Sequence, residues 1–135
     1  MALISLPNPP LVGMKENALA LERGEDGDYD GVAQLEDNSR IDLTGKTLIL
    51  DVFSESQRLI EKTSADVNQI NVTTPAEGEF TIFFTRQDTV VLEERRSGLL
   101  AYRYNLWMVD NISGKRELLI KEAELAISSP RPNIS

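Results

Sequence analysis

The chain has 135 residues, 41% hydrophobic and 27% charged, with a net charge of −8 and a sequence pI near 4.6. That length suits one domain with one core, and the composition excludes a disordered chain, a coiled coil or a membrane protein as a whole-chain description. With no Cys and no His, zinc sites of the Cys-His type, thiol nucleophiles, Ser-His-Asp triads and disulfide scaffolds are excluded, and the acidity argues against a nucleic-acid partner.

Five of the six prolines stand near the ends: Pro7, Pro9, Pro10, Pro130 and Pro132. Proline removes a backbone donor and is kept out of sheet interiors. The chain therefore divides into an N-terminal arm (1–14), a body (15–127) and a C-terminal tail (128–135). Leu3, Ile4 and Leu6 make the arm apolar, which reads either as a mobile, partly packed terminus or, as a function, as an arm that docks on a neighbouring subunit. No signal-peptide core or spanning segment is visible, so synthesis and retention in a cytoplasm are expected, with no membrane partner.

Short strands are expected at 18–21 and 29–35. Between them, Asp26-Gly27-Asp28-Tyr29-Asp30-Gly31 resembles the opening of an EF-hand calcium loop, with alternate carboxylates followed by glycine. Position twelve of such a loop is Asp37, a shorter side chain than the usual glutamate, and no helix pattern follows. A solvated acidic loop is the plainer reading.

A strand at 46–53 places Leu48, Leu50 and Val52 on one face and Ile49 and Phe53 on the other. Further strands are expected at 58–62 and 69–72, then a turn at Pro75-Ala76-Glu77-Gly78. Phe80, Ile82 and Phe84 alternate along 79–85. The stretch 86–96 lacks alternation and reads as a short helical turn before a loop. In 100–109, Tyr102, Tyr104, Leu106 and Met108 oppose Arg103, Asn105 and Trp107. That strand pairs with 116–127 across a connector bearing the Asn, Asp and Gly of a hairpin loop. Seven or eight short strands at this spacing predict an all-β antiparallel sandwich, with an up-and-down barrel as competitor.

No catalytic constellation emerges. Asp26, Asp28 and Asp30 lie too close in sequence for a two-sided glycosidase pair, and the glycines sit among carboxylates that repel phosphate. The aromatic residues Tyr102, Tyr104, Trp107 and Phe83 read as core and cross-strand pairs before they read as a sugar platform. If the two tyrosines face the core, Trp107 faces solvent or a partner, and it joins Leu3, Ile4 and Leu6 as an expected interface residue. No cofactor is expected.

The run Ile41-Asp42-Leu43-Thr44-Gly45-Lys46-Thr47-Leu48 resembles a strand-opening element of bacteriophage virion proteins. Gly78, Phe80 and Ile82, the connector 86–92, then Gly98, Tyr102, Tyr104 and Leu106, then the turn from Asp110 to Gly114, follow in the same order. In the last strand Lys121-Glu122 stands where that pattern has a glycine. Over 18–127 the sequence is similar to the N-terminal domain of phage baseplate upper proteins and to related small tail and capsid-associated proteins. The resemblance implies an immunoglobulin-like sandwich of seven to eight strands and a non-catalytic structural role. The implied place is the virion, as a tail or baseplate adaptor or a capsid decoration in multiple copies among other virion proteins. An adhesion module dependent on carbohydrate or calcium is the alternative.

Overall fold

Period-two alternation governs the structure, a computed structural model that describes residues 2–5, 17–22, 25–35, 39–54, 57–95 and 102–128. Nine strands are present among the described residues: β1 (Ala2–Ser5), β2 (Leu19–Glu22), β3 (Gly27–Leu35), β4 (Lys46–Ser54), β5 (Gln57–Thr63), β6 (Ile70–Thr74), β7 (Glu79–Phe84), β8 (Tyr102–Asp110) and β9 (Arg116–Ser128). A 3-10 turn (Pro75–Glu77) joins β6 to β7, and a helix, α1 (Arg86–Arg95), follows β7.

The strands form two sheets, in the orders β1-β3-β7-β6 and β2-β9-β8-β4-β5. All pairs are antiparallel except β2 with β9. Read in chain order, the first sheet is A-B-E-D and the second contains G-F-C with one strand added beside C. That is the strand arrangement of immunoglobulin domains. The first strand is split between the sheets, β1 in one and β2 in the other, which is how a parallel pair enters an antiparallel fold.

The inner faces supply one core. Leu48, Leu50 and Val52 of β4, Phe80, Ile82 and Phe84 of β7, and Tyr104 and Leu106 of β8 are all buried. Each large apolar side chain so placed contributes about 1.5–3 kcal/mol relative to exposure. Leu43 anchors the turn before β4: it is buried, and its N–H donates to the Pro75 carbonyl at 2.8 Å. Gly45 in the same turn has φ +75°, a conformation open to glycine without strain.

Two tyrosines of β8 tie its start to distant backbone. Near the start of β8, the Tyr102 hydroxyl donates to the Leu92 carbonyl ten residues upstream, a tyrosine corner. Two residues on, where the second cysteine would stand, Tyr104 is buried and its hydroxyl donates to the Asn17 carbonyl. Burial pushes the Tyr104 phenol well above its ordinary range.

Strand β9 is bulged against β8 twice, between Tyr104 and Leu106 and between Leu106 and Trp107. The bulges let the adjacent residues Leu119 and Ile120 both be buried, which a regular strand forbids. Glu122 adopts φ +52° there, the left-handed region that a glycine would occupy freely. Its N–H is held by the Asn105 side-chain oxygen at 2.7 Å.

Three features differ from expectation. The stretch at Ala2–Ser5, read as part of an arm, runs along β3 as the edge of the first sheet, with Leu3 opposite Gln34 and Ile4 opposite Ala33. The segment read as an acidic loop is itself strand from Gly27 onward. The helical turn at 86–96 is a ten-residue helix. It starts with a reciprocal cap: the Thr85 N–H donates to Asp88 Oδ2 at 2.8 Å, and the Asp88 N–H donates to Thr85 Oγ1 at 3.3 Å.

Candidate functional site

The outer face of the second sheet holds a row of apolar side chains. On β4, Ile49 lies opposite Trp107 of β8, and Trp107 lies opposite Leu118 of β9. All three are half-buried, and none belongs to the buried core cluster or the side chains packed on it. Strand alternation requires this placement: with Tyr104 and Leu106 inward, Trp107 points outward. The Arg116 guanidinium lies over the indole at 4.5 Å from its ring centre, a cation-π contact.

Charges frame the row. Arg58 Nε lies 3.5 Å from Asp51 Oδ1, and its Nη1 lies 3.5 Å from Glu61 Oε1. Asp51 Oδ1 is the one buried side-chain polar atom without a hydrogen bond among the described residues, and it lies on this face. At the end of the same sheet, Ile112 on the β8–β9 hairpin is 97% exposed.

That hairpin is built by Asp110. Its carboxylate accepts the N–H of Ile112 at 2.9 Å and of Ser113 at 3.3 Å, and the Lys46 ammonium at 3.0 Å. The Ile112 N–H first, then Lys46 and the Ser113 N–H, hold the Asp110 carboxyl down at about 2. A folded value below the unfolded one makes its stabilisation complete above about pH 4 and lost as pH falls through about 2. Thermal melts should therefore show Asp110→Asn less stable than the native chain at pH 6, with the gap narrowing toward pH 2. A gap independent of pH contradicts this role for Asp110.

The outer face of the first sheet is different. Asp28 and Asp30 of β3, Thr81 and Phe83 of β7 and Asn71 of β6 lie on it. Asp28 and Asp30 share one side of β3, where alternate residues are spaced about 6.7 Å apart, and Asp26 stands just before the strand. They therefore splay instead of converging as a calcium loop requires. Two are already engaged: Asp26 Oδ1 accepts the Arg86 N–H at 2.8 Å, and Asp30 Oδ1 accepts the Thr81 hydroxyl at 2.7 Å. No group of three or more His, Cys, Asp or Glu able to hold a metal ion occurs among the described residues.

Beside Phe83 lies an open groove of about 550 Å³, lined by Asp26, Asp28, Asn68, Asn71, Phe83 and Thr85, with Val67 and Phe84 also contributing. No single stretch of sequence announces it, because it joins three strands and the loop before β6.

The structure places Leu3 and Ile4 in β1 and Trp107 on the opposite sheet; Leu6 lies outside the described residues. Sequence reasoning missed Ile49 and Leu118 as neighbours of Trp107, although outward alternation of Ile49 was the available signal.

Fold and surface together define a cysteine-free immunoglobulin-like β-sandwich with its distinctive chemistry on two outer faces. No family model and no curated protein matches the chain. Among solved structures the chain is similar to murine CRIg, with a TM-score of 0.45 and 11% sequence identity over 95% of this chain and 98% of that one.

Proposed function

We propose that this chain is a non-catalytic structural protein of a bacteriophage particle, a tail or baseplate adaptor or a capsid decoration. It acts by protein-protein contact through the outer face of the second sheet. The carrying observation is the Ile49-Trp107-Leu118 row, apolar across three strands on a face that no other layer of the described chain covers. An aromatic anchor beside an arginine, with charges at the rim, is the composition of a binding hot spot. The resemblance of 18–127 to phage baseplate and tail proteins supplies the setting. Repetition on a symmetric particle makes modest contacts durable, and the charge of −8 keeps unassembled chains soluble.

The test is incorporation. The phage is complemented with the native chain or with Trp107→Glu, and copies per purified particle are counted by mass spectrometry. Trp107 is outside the core, and the new carboxylate stands beside Arg116, so the variant is expected to fold with a loss of about 1–2 kcal/mol. The native chain is expected at a fixed copy number, and Trp107→Glu at least about tenfold below it, as a hot-spot loss implies. Particles without the chain, or equal incorporation of a folded variant, would falsify the reading.

A second reading, a carbohydrate-binding adhesion module, draws on the half-buried Phe83 beside Asn68 and Asn71. A calcium-dependent version has less support, given the splay of the aspartates of β3.

A further inference from the structure

We infer that the groove beside Phe83 is a site for a cationic side chain, arginine or lysine, presented by a partner protein. The site is separate from the Trp107 face, so either can fail while the other stands.

The register builds it. Asp28 of β3 and Phe83 of β7 are directly opposed, and directly opposed side chains in an antiparallel pair have Cβ atoms about 5 Å apart. Asn71 faces outward on β6, diagonal to Phe83. A carboxylate thus stands beside an aromatic ring in an open groove that Asp26 and Asn68 also line.

A guanidinium or ammonium in the groove meets the negative face of the ring and a carboxylate at once, and the two attractions reinforce each other. Asp28 has no hydrogen-bond or ion-pair partner among the described residues, unlike Asp26 and Asp30. Its capacity to accept is therefore open. Among the described residues no Lys or Arg lines the groove, so no described side chain of its wall supplies a counter-charge to Asp28.

Two other occupants fit less well. A metal ion needs more converging oxygens than two carboxylates on an extended strand supply. A neutral sugar can bond Asn68 and Asn71 but leaves both carboxylates desolvated without a counter-charge, which costs affinity. The groove volume of about 550 Å³ accommodates one long side chain and part of its backbone.

The experiment is a nitrogen-15 NMR titration of the full chain with N-acetyl-arginine amide. N-acetyl-citrulline amide is the uncharged shape-matched control, with methyl β-glucoside and calcium chloride as further probes. The resonances of Asp28, Asn71 and Phe83 are expected to move with the arginine compound at about tenfold lower concentration than with citrulline. Asp28→Asn and Phe83→Leu, both outward-facing, should each weaken the arginine response about fivefold or more while leaving the rest of the spectrum in place. Equal responses to arginine and citrulline overturn the inference. So does a stronger response to the glucoside, which identifies a carbohydrate site, or to calcium, which identifies a metal site. No movement of these resonances at about 50 mM arginine compound, beyond the weakest useful affinity, also overturns it.

Discussion

Gly78→Ala is expected to lower unfolding stability by about 3 kcal/mol or more, the joint scale of left-handed strain and overpacking. Gly78 is buried between β3 and the turn into β4, at φ +72°. A Cβ there would lie 2.7 Å from the Ala33 carbonyl oxygen and 2.8 Å from that of Ile41, both backbone atoms that cannot rotate away. The same backbone holds the segment together: the Ala33 N–H donates to the Gly78 carbonyl at 2.9 Å, and the Ile41 N–H to the Ala33 carbonyl at 2.9 Å. Gly114→Ala is the control, because Gly114 has a similar φ of +76° with nothing within 4 Å of the added atom. It should cost about 1 kcal/mol. Urea melts with unchanged slope read both values. Equal losses at the two glycines would show that close approach at Gly78 does not matter.

The second large effect is at Asp88. Lys62 faces inward on β5 with its side chain 7% exposed, and its ammonium lies 2.9 Å from Asp88 Oδ2. The ammonium also lies 5.4 Å from the centre of the Phe84 ring. Asp88→Ala removes the side-chain half of the reciprocal cap and the carboxylate that pairs with this buried cation, so a loss of about 3–5 kcal/mol is expected. Lys62→Met is expected to cost far less, because it removes the charge while keeping the length, and Asp88 retains its bond to the Thr85 N–H. The decisive comparison is the double variant, which should be more stable than Asp88→Ala alone. A double variant worse than Asp88→Ala would mean that Lys62 contributes by packing, not by its charge.

These two sites mark the limits of what the residues reveal. Alternation made β4, β7, β8 and β9 legible, because one face of each is packed in a sandwich and its apolar side chains recur at every second position. Gly78 was legible only as a turn residue: its close approach to Ala33 and Ile41 is a tertiary fact. Lys62 read as an ordinary strand lysine, since no local pattern tells that its partner stands on a helix 26 residues later. The Thr85-Arg86-Gln87-Asp88 spacing was a helix-start signal that would have lengthened the expected turn. β1 was obscured by the prolines that follow it, and the start of β3 by its aspartates, which suit a strand here because they all face solvent.

The candidate surfaces show the same division. Outward placement of Trp107 followed from the burial of Tyr102 and Tyr104, which sequence alternation anticipated. The row it forms with Ile49 and Leu118 depends on strand order and on the bulges in β9, neither of which is written locally. The groove at Phe83 needed the registers of β3, β6 and β7 together.

The proposed contact through the Trp107 face is tested most directly by hydroxyl-radical labelling of Trp107, the chain's single tryptophan, in the free protein and in purified particles. Peptide mapping by mass spectrometry reads the rate at that residue. The account predicts that Trp107 is labelled in the free chain and at least about fivefold more slowly in the particle, as expected for a contact whose centre is shielded from water. Equal labelling in both states, with the chain present in the particle, would contradict the account and move the contact elsewhere on the sandwich.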